Sequence, residues 1–231
     1  MSNPGRAASR EAHPVPADVF EPVWHSTYHP QALPPTEGLS VGQRKVLQAC
    51  VQCFADEGFA ASSIRDIGAI AGMQSASLYS HFPSKDAMLS ALTTLGFDYH
   101  LDRVISALIN APSDPREQLE TLVRHHVLIH CEFPRLSLIV NRETRHLQPE
   151  AQERAQASRV RSAGIVRDLL DRGEAQGLFT LGGRAATVFA IASMGVDAAR
   201  WFPWQATISA EDLAHDYVEL ALRMVGARTS S

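Results

Sequence analysis

The stretch "IRDIGAIAGMQSASLYSHFPSKDAML", residues 64 to 89, holds two short apolar runs separated by a glycine turn and closed by a proline. Ser63 opens the first run with Asp66 three residues on, a capping box with a shortened acid, and Ile64, Ile67 and Ile70 or Ala71 fall on one helical face. Gly72 ends that helix, and Leu78, Tyr79 and Phe82 mark a following helix of barely two turns that Pro83 closes. Ile67 and Ile70 must meet Leu78 and Phe82 across the turn, with the small Gly68 where the helices cross closely. Two short helices so joined describe a helix-turn-helix, whose second helix presents its N-terminal residues to the major groove.

Upstream, Val41, Val46, Leu47, Cys50, Val51, Phe54 and Ala55 recur at three and four residues until Gly58, which predicts a first helix. Downstream, Ser84 is an N-cap, and Met88, Leu89, Leu92 and Leu95 carry a helix towards Ile109. The Ala111–Pro115 stretch is a loop, and further helices are expected over 116–132, 134–146, 149–176, 184–202 and 210–225. No hairpin signal or alternating strand pattern appears, so the expected fold is all-α, a small helix-turn-helix unit carried on a larger helical bundle. Seven of the thirteen prolines lie in the first forty residues, which makes residues 1–39 a Pro-rich flexible tail whose Trp24 and Tyr28 could dock on the body. Residues 40–100 then form the DNA-binding unit and 101–231 the effector-binding and dimerisation unit.

The segment "VLQACVQCFADEGFAASSIRDIGAIAGMQSASLYSHFPSKDAML" resembles the N-terminal DNA-binding domain of TetR-family transcriptional regulators. The resemblance rests on Phe54, Gly58-Phe59, Ala71-Gly72, Leu78-Tyr79, His81-Phe82 and Ser84-Lys85, and covers about residues 40 to 100. It implies phosphate contacts from Ser62 or Ser63, Tyr79 and Lys85, with Gln74, Ser75, Ala76, Ser77 and Ser80 towards base edges. Arg44 and Arg65 could supplement the lysine, and His81 is either a second phosphate contact or a residue packed at the foot of the helix. Hydroxyls, a phenol and helix-end amides all donate to phosphate oxygen, which agrees with these roles. Where the family often has Ser-Lys-Gly-Thr, this chain has Gln74-Ser75-Ala76-Ser77, losing a cation and the usual N-cap; Gln74 can pair with adenine and Ala76 can touch a thymine methyl.

The stretch from Phe133 to Phe179, with the Trp201-Phe202-Pro203-Trp204 cluster, resembles C-terminal domains of TetR-family repressors of steroid and fatty-acid catabolism, some of which respond to acyl-coenzyme A thioesters. Phe97, His100, His126, His130, Arg142, Arg145, His146, Trp201 and Trp204 are the effector-binding candidates, because they set aromatic and polar groups within otherwise apolar helices; Tyr99, Phe133 and Met194 share that character. The nine arginines and seven acids of residues 132–184 suit either a phosphorylated ligand or a solvated, ion-paired face. Two apolar faces on the last helix, Val218, Leu222 and Val225 against Tyr217, Leu220 and Met224, favour a homodimer built from the last two helices.

The net charge of −4 argues against a protein that coats nucleic acid indiscriminately, so any DNA binding must be local. Three cysteines, no secretory pattern and no long apolar run point to a cytoplasmic protein without a membrane span. No catalytic elbow, glycine-rich phosphate loop or acid pair is present, Cys50 and Cys53 are explained by helix packing, and no enzyme activity or cofactor is expected. His126 and His130 stand four apart on one helix, but no third ligand follows at sensible spacing, so no metal is expected. The reading favoured is a dimeric repressor released from a double-stranded operator by a small hydrophobic effector, acyl-coenzyme A or steroid-derived. The alternative is a ligand-independent, DNA-bound helical scaffold that recruits proteins; a pocket tunnelling between the middle helices favours the first, and a dry, filled core the second.

Overall fold

A computed structural model describes residues 30–35, 37–204 and 208–227, and among them every regular element is helical. Helix α1 (Val41–Glu57) begins at Ser40, whose hydroxyl accepts from the Gln43 amide while the Gln43 side chain accepts from the Ser40 amide; Gly58, at φ +83°, ends it. The same reciprocal cap, Ser63 with Asp66, opens α2 (Ile64–Ala71), and Gly72 closes it in the left-handed conformation at φ +59°. Helix α3 (Ser75–Tyr79) is shorter than its apolar pattern suggests, because Phe82 joins the core from the turn beyond it. The long α4 (Lys85–Asn110) follows from the Ser84 cap.

Helices α1, α2 and α3 and the start of α4 share one core in which Val46, Ile67, Leu78 and Met88 have no exposed surface. Ile70 does not join it. At 42% exposure it lies outside the seam, since Ala71, four residues after Ile67, continues that face in its place. Gly68 sits at the close approach, where a Cβ would come 2.8 Å from the Met73 carbonyl oxygen.

Below this unit come α5 (Pro115–Glu132), α6 (Pro134–Arg142), α7 (Pro149–Ala175), α8 (Arg184–Trp201) and α9 (Ala210–Met224), with α5 packed against α4, α7, α8 and α9, and α6 against α4 and α8. The predicted helix 134–146 is really α6 plus a 3-10 turn, Glu143–His146. Pro134 and Pro149 start helices, where a missing amide costs nothing. The last helix lays Leu213, Val218 and Leu222 on the core, while Leu220 stays 45% exposed and Tyr217 and Met224 are half-buried. No helix among the described residues is long and apolar enough to cross a membrane.

The end of the expected tail is docked. Leu33 is buried, the Gln31 amide donates to the Glu132 carbonyl at 2.9 Å, and Arg44 donates to the Pro34 carbonyl at 3.3 Å. Trp24 and Tyr28 lie outside the described residues.

Gly68→Ala should lower the unfolding free energy by about 1–3 kcal/mol, the usual cost of overpacking a site that cannot yield. Chemical denaturation of the full chain measures it, and an unchanged midpoint would show that the α2–α3 crossing is looser than described.

Candidate functional site

The outer face of the helix-turn-helix presents Gln74, Ser75, Ala76 and Ser77 in a row, all exposed, with Tyr79 half exposed beside them. Gln74 stands at the N-cap position of α3 and makes no side-chain cap bond, so its amide is unspent by the helix it precedes. Ser80 is exposed, with its hydroxyl donating to the Ser77 carbonyl at 2.7 Å. Small polar groups, a methyl and a phenol therefore make up this surface, a set suited to base edges and neutral phosphate contacts.

Several residues expected on this face are spent elsewhere. Ser62 is 2% exposed and donates to the Gly58 carbonyl at 2.8 Å and the Cys53 carbonyl at 3.2 Å, so it braces the corner between α1 and α2. Ser63 is exposed, but its amide and hydroxyl both engage Asp66, whose carboxyl is held below its ordinary range by the Ser63 hydroxyl and amide. An ionised carboxylate at that helix start opposes an incoming phosphate. The Lys85 ammonium donates to the Phe59 carbonyl at 2.7 Å and the Ser62 carbonyl at 2.8 Å and lies 4.4 Å from the centre of the Phe59 ring. It ties the first turn of α4 to the α1–α2 corner. His81 is half-buried against Gly42, where any Cβ would collide with its ring, and this fits the packed reading. Arg44 is half-buried and holds the docked arm.

One cation was missed. Lys45 is exposed on α1, and its ammonium lies over the turn, 3.8 Å from where a Gly72 Cβ would stand. Spacing along α1 gives no hint of this, because the turn that it overhangs is 27 residues further on.

The second feature is a cavity of about 600 Å³ lined by residues of α4, α5, α6, α7 and α8. That volume lies within the roughly 300–1,000 Å³ range of small-molecule sites. Its wall is mostly apolar, with Leu101, Val104, Ile129, Leu136 and Val188 among the lining residues. Of the expected effector residues, Phe97, His100, His126 and His130 line it. Gly96 lets α4 approach α6 here, since a Cβ would stand 2.6 Å from Val140 Cγ2.

The three imidazoles form one cluster. His100 Nε2 and His126 Nδ1 are 2.8 Å apart, His126 Nε2 reaches the Ala192 carbonyl at 2.9 Å, and His130 Nδ1 reaches the His126 carbonyl at 2.7 Å. Carbonyls only accept, so His126 carries its proton on Nε2 and His130 on Nδ1. Burial, then the neighbouring His126, pushes His100 down to about 3; burial likewise lowers His126, and burial, His126 and His100 lower His130. All three rings are neutral near pH 7. Gly195 leaves the space that the His126 ring fills, because a Cβ there would collide with it.

Arg159 is the cation of the cavity wall, and sequence reading passed over it. Its Nη2 donates to the Val140 carbonyl and to Thr144 Oγ1, each at 3.3 Å, and the guanidinium stands 5.5 Å from the Phe97 ring centre. Burial holds its pKa below the ordinary arginine value. Arg142, Arg145 and His146 do not reach the cavity. They lie at the seam with the helix-turn-helix unit, where His146 stacks 5.4 Å from Phe59 and its Nε2 accepts from Arg145 Nε at 3.2 Å. Arg142 lines a separate cleft with Asp56, Glu57 and Gly58. Trp201 is half-buried beside Phe202 and Tyr217, outside the cavity wall, and the Trp204 side chain lies outside the described residues.

The thiols are buried and inert. Burial, aided by Cys53, raises Cys50 to about 12, and burial raises Cys131 to about 12.

Comparison with known proteins agrees with this architecture. The profile described as "Bacterial regulatory proteins, tetR family" matches residues 46–92, and that described as "Tetracyclin repressor-like, C-terminal domain" matches residues 112–225. The HTH-type transcriptional repressor KstR2 of Rhodococcus jostii (strain RHA1) is 35% identical over 88 residues, 38% of this chain and 43% of that protein. The chain thus spans under half the length of the curated relative that it matches. Among solved structures, a bacterial regulatory protein in the tetR family from Rhodococcus RHA1 superposes with a TM-score of 0.77 at 28% identity, over 83% of this chain and 100% of that one. AibR in complex with isovaleryl coenzyme A and operator DNA shares the fold with a TM-score of 0.72 at 21% identity, over 81% of this chain and 100% of that one.

The two lysines should separate by stability. Lys85→Met should cost about 1.5–3 kcal/mol, the range for hydrogen bonds made by a charged group. Lys45→Met should stay within about 0.5 kcal/mol of the parent, as for an exposed side chain. Urea unfolding of both variants reads the difference, and equal losses would contradict the placement of Lys85.

Proposed function

Because this chain belongs to the tetR family of bacterial regulatory proteins, we propose that it is a homodimeric transcriptional repressor, released from operator DNA by a small apolar effector. The observation that carries this reading is the cavity of about 600 Å³ whose wall includes α4, the helix that begins at the DNA-reading unit. A ligand-independent scaffold has no use for a hollow at that place.

On the DNA, Gln74, Ser75, Ala76, Ser77 and Ser80 face base edges, while Tyr79 and helix-end amides hold the backbone. Lys45 supplies the mobile cation that the family pattern assigns to Lys85, and Lys85 acts indirectly by fixing α4. Dimerisation uses α8 and α9, where Phe189 is 70% exposed and Leu220 45% exposed, and it spaces two reading helices about 34–36 Å apart or more.

The effector is an acyl thioester or a comparable apolar molecule whose acyl part fills the cavity. AibR, of the same fold, binds isovaleryl coenzyme A, and this supports the choice of class. Arg159 is placed to meet the effector's polar end, against which the apolar lining offers nothing. Occupancy shifts α4, and a ligand that binds the DNA-free arrangement better lowers operator affinity by the same factor. The protein acts in the cytoplasm, where its operator is.

Footprinting upstream of the protein's own gene, repeated with acyl-coenzyme A thioesters of increasing chain length, tests the whole reading. A protected site that clears on titration is expected; no protected site, or one indifferent to every thioester, contradicts it.

The salt dependence resolves the contacts. Lys45→Gln should reduce the slope of log K against log salt by about 0.9 per monomer, the value for one lost phosphate cation. Tyr79→Phe should weaken binding alike on all sequences and leave the slope alone. Anisotropy titrations at several salt concentrations measure both, and an unchanged slope for Lys45→Gln would remove it from the interface.

A further inference from the structure

We propose that His100, His126 and His130 form a binding site for one divalent transition ion of the Zn²⁺ type, held between α4 and α5 with an open position towards the cavity. One potential ligand atom from each of the three residues lies within 4.8 Å of the other two. A tetrahedral ion with bonds of roughly 2.0–2.1 Å sets its ligand nitrogens about 3.3 Å apart, so modest side-chain rotation closes the set. His126 and His130 are one turn apart on α5, and His100 comes across from α4.

The hydrogen bonds prepare the ligands. A metal-bound imidazole almost always donates its other N–H to a carbonyl or carboxylate, which fixes the tautomer and aims the lone pair. His126 does so through Nε2 to the Ala192 carbonyl, and His130 through Nδ1 to the His126 carbonyl. The lone pairs of His126 Nδ1 and His130 Nε2 are thereby assigned. The 2.8 Å contact between His100 Nε2 and His126 Nδ1 makes His100 the donor in the metal-free state. Moving that proton to His100 Nδ1 frees the third lone pair.

All three residues line the cavity, so three protein ligands and one open position result, the pattern of a site that binds a further small ligand. Imidazole sets suit Zn, Cu, Fe and Ni over Mg and Ca. An ion here clamps α4 to α5. The site stands whether or not the cavity takes an acyl thioester.

Titration of the full chain with Co²⁺, followed by Zn²⁺ competition, tests this directly. One equivalent should bind per chain with the intense visible absorption of tetrahedral Co²⁺, and Zn²⁺ should abolish the signal. The chain has ten histidines, so variants must locate the ion. H100Q and H130Q should each weaken Co²⁺ by more than the roughly 10–100-fold that loss of an outer-shell partner costs, while the thermal melt of H100Q stays cooperative. Should H130Q fail to fold, the wild-type spectrum and H100Q decide. The weak absorption of six-coordinate Co²⁺, loss of the ion on gel filtration, or affinity unchanged in H100Q overturns the proposal.

Discussion

The clamp at the start of α4 is the interaction on which the rest depends. The Lys85 ammonium holds the Phe59 and Ser62 carbonyls at 2.7 and 2.8 Å, and so makes the first turn of α4 part of the helix-turn-helix unit. Fifteen residues later, about 22 Å along the helix at 1.5 Å per residue, His100 of the same α4 lines the cavity. A helix transmits displacement because its own hydrogen bonds keep it whole. The clamp, together with Met88 of α4 packed in the same core, joins the cavity to the reading surface.

Polar groups in the cavity wall follow from the same economy. A neutral histidine buried in an apolar wall must spend its N–H, and the triad spends two of them on carbonyls and one on another ring. Arg159 cannot be neutral, and it anchors on Val140 and Thr144 at the edge of the cavity while facing Phe97. The wall is thus mostly apolar with a few anchored polar groups, and Gly96 and Gly195 let α6 and the His126 ring approach closely.

The reading unit was legible because its signals are local. Serine caps at Ser63 and Ser84, two glycine stops and the helical spacing from Val41 place α1, α2 and α4 nearly to the residue, while α3 ends three residues short of its apolar pattern. The cavity was legible only in part. His126 and His130 declare themselves by their spacing on one helix, but His100 joins them only when α4 packs on α5, which no local pattern states. Arg159 was lost among nine arginines, although it continues the four-residue steps of Ala151 and Ala155 along the buried face of α7. Arg142, Arg145 and His146 went astray for the converse reason: composition marks a polar residue in an apolar stretch without saying which side of the helix it occupies. The roles of Ser62 and Lys85 turned on a loop whose carbonyls needed donors, and unpaired carbonyls leave no trace in a sequence.

In the proposed switch, filling the cavity moves α4 and with it the reading helix. Pulsed electron-resonance distances between spin labels at Ser75 on the two protomers, taken with and without a saturating acyl-coenzyme A thioester that releases DNA, measure this most directly. Without ligand the distance distribution should contain the operator spacing, about 34 Å or more, and with ligand it should shift away from it. An unchanged distribution at a concentration that clears the operator would contradict it.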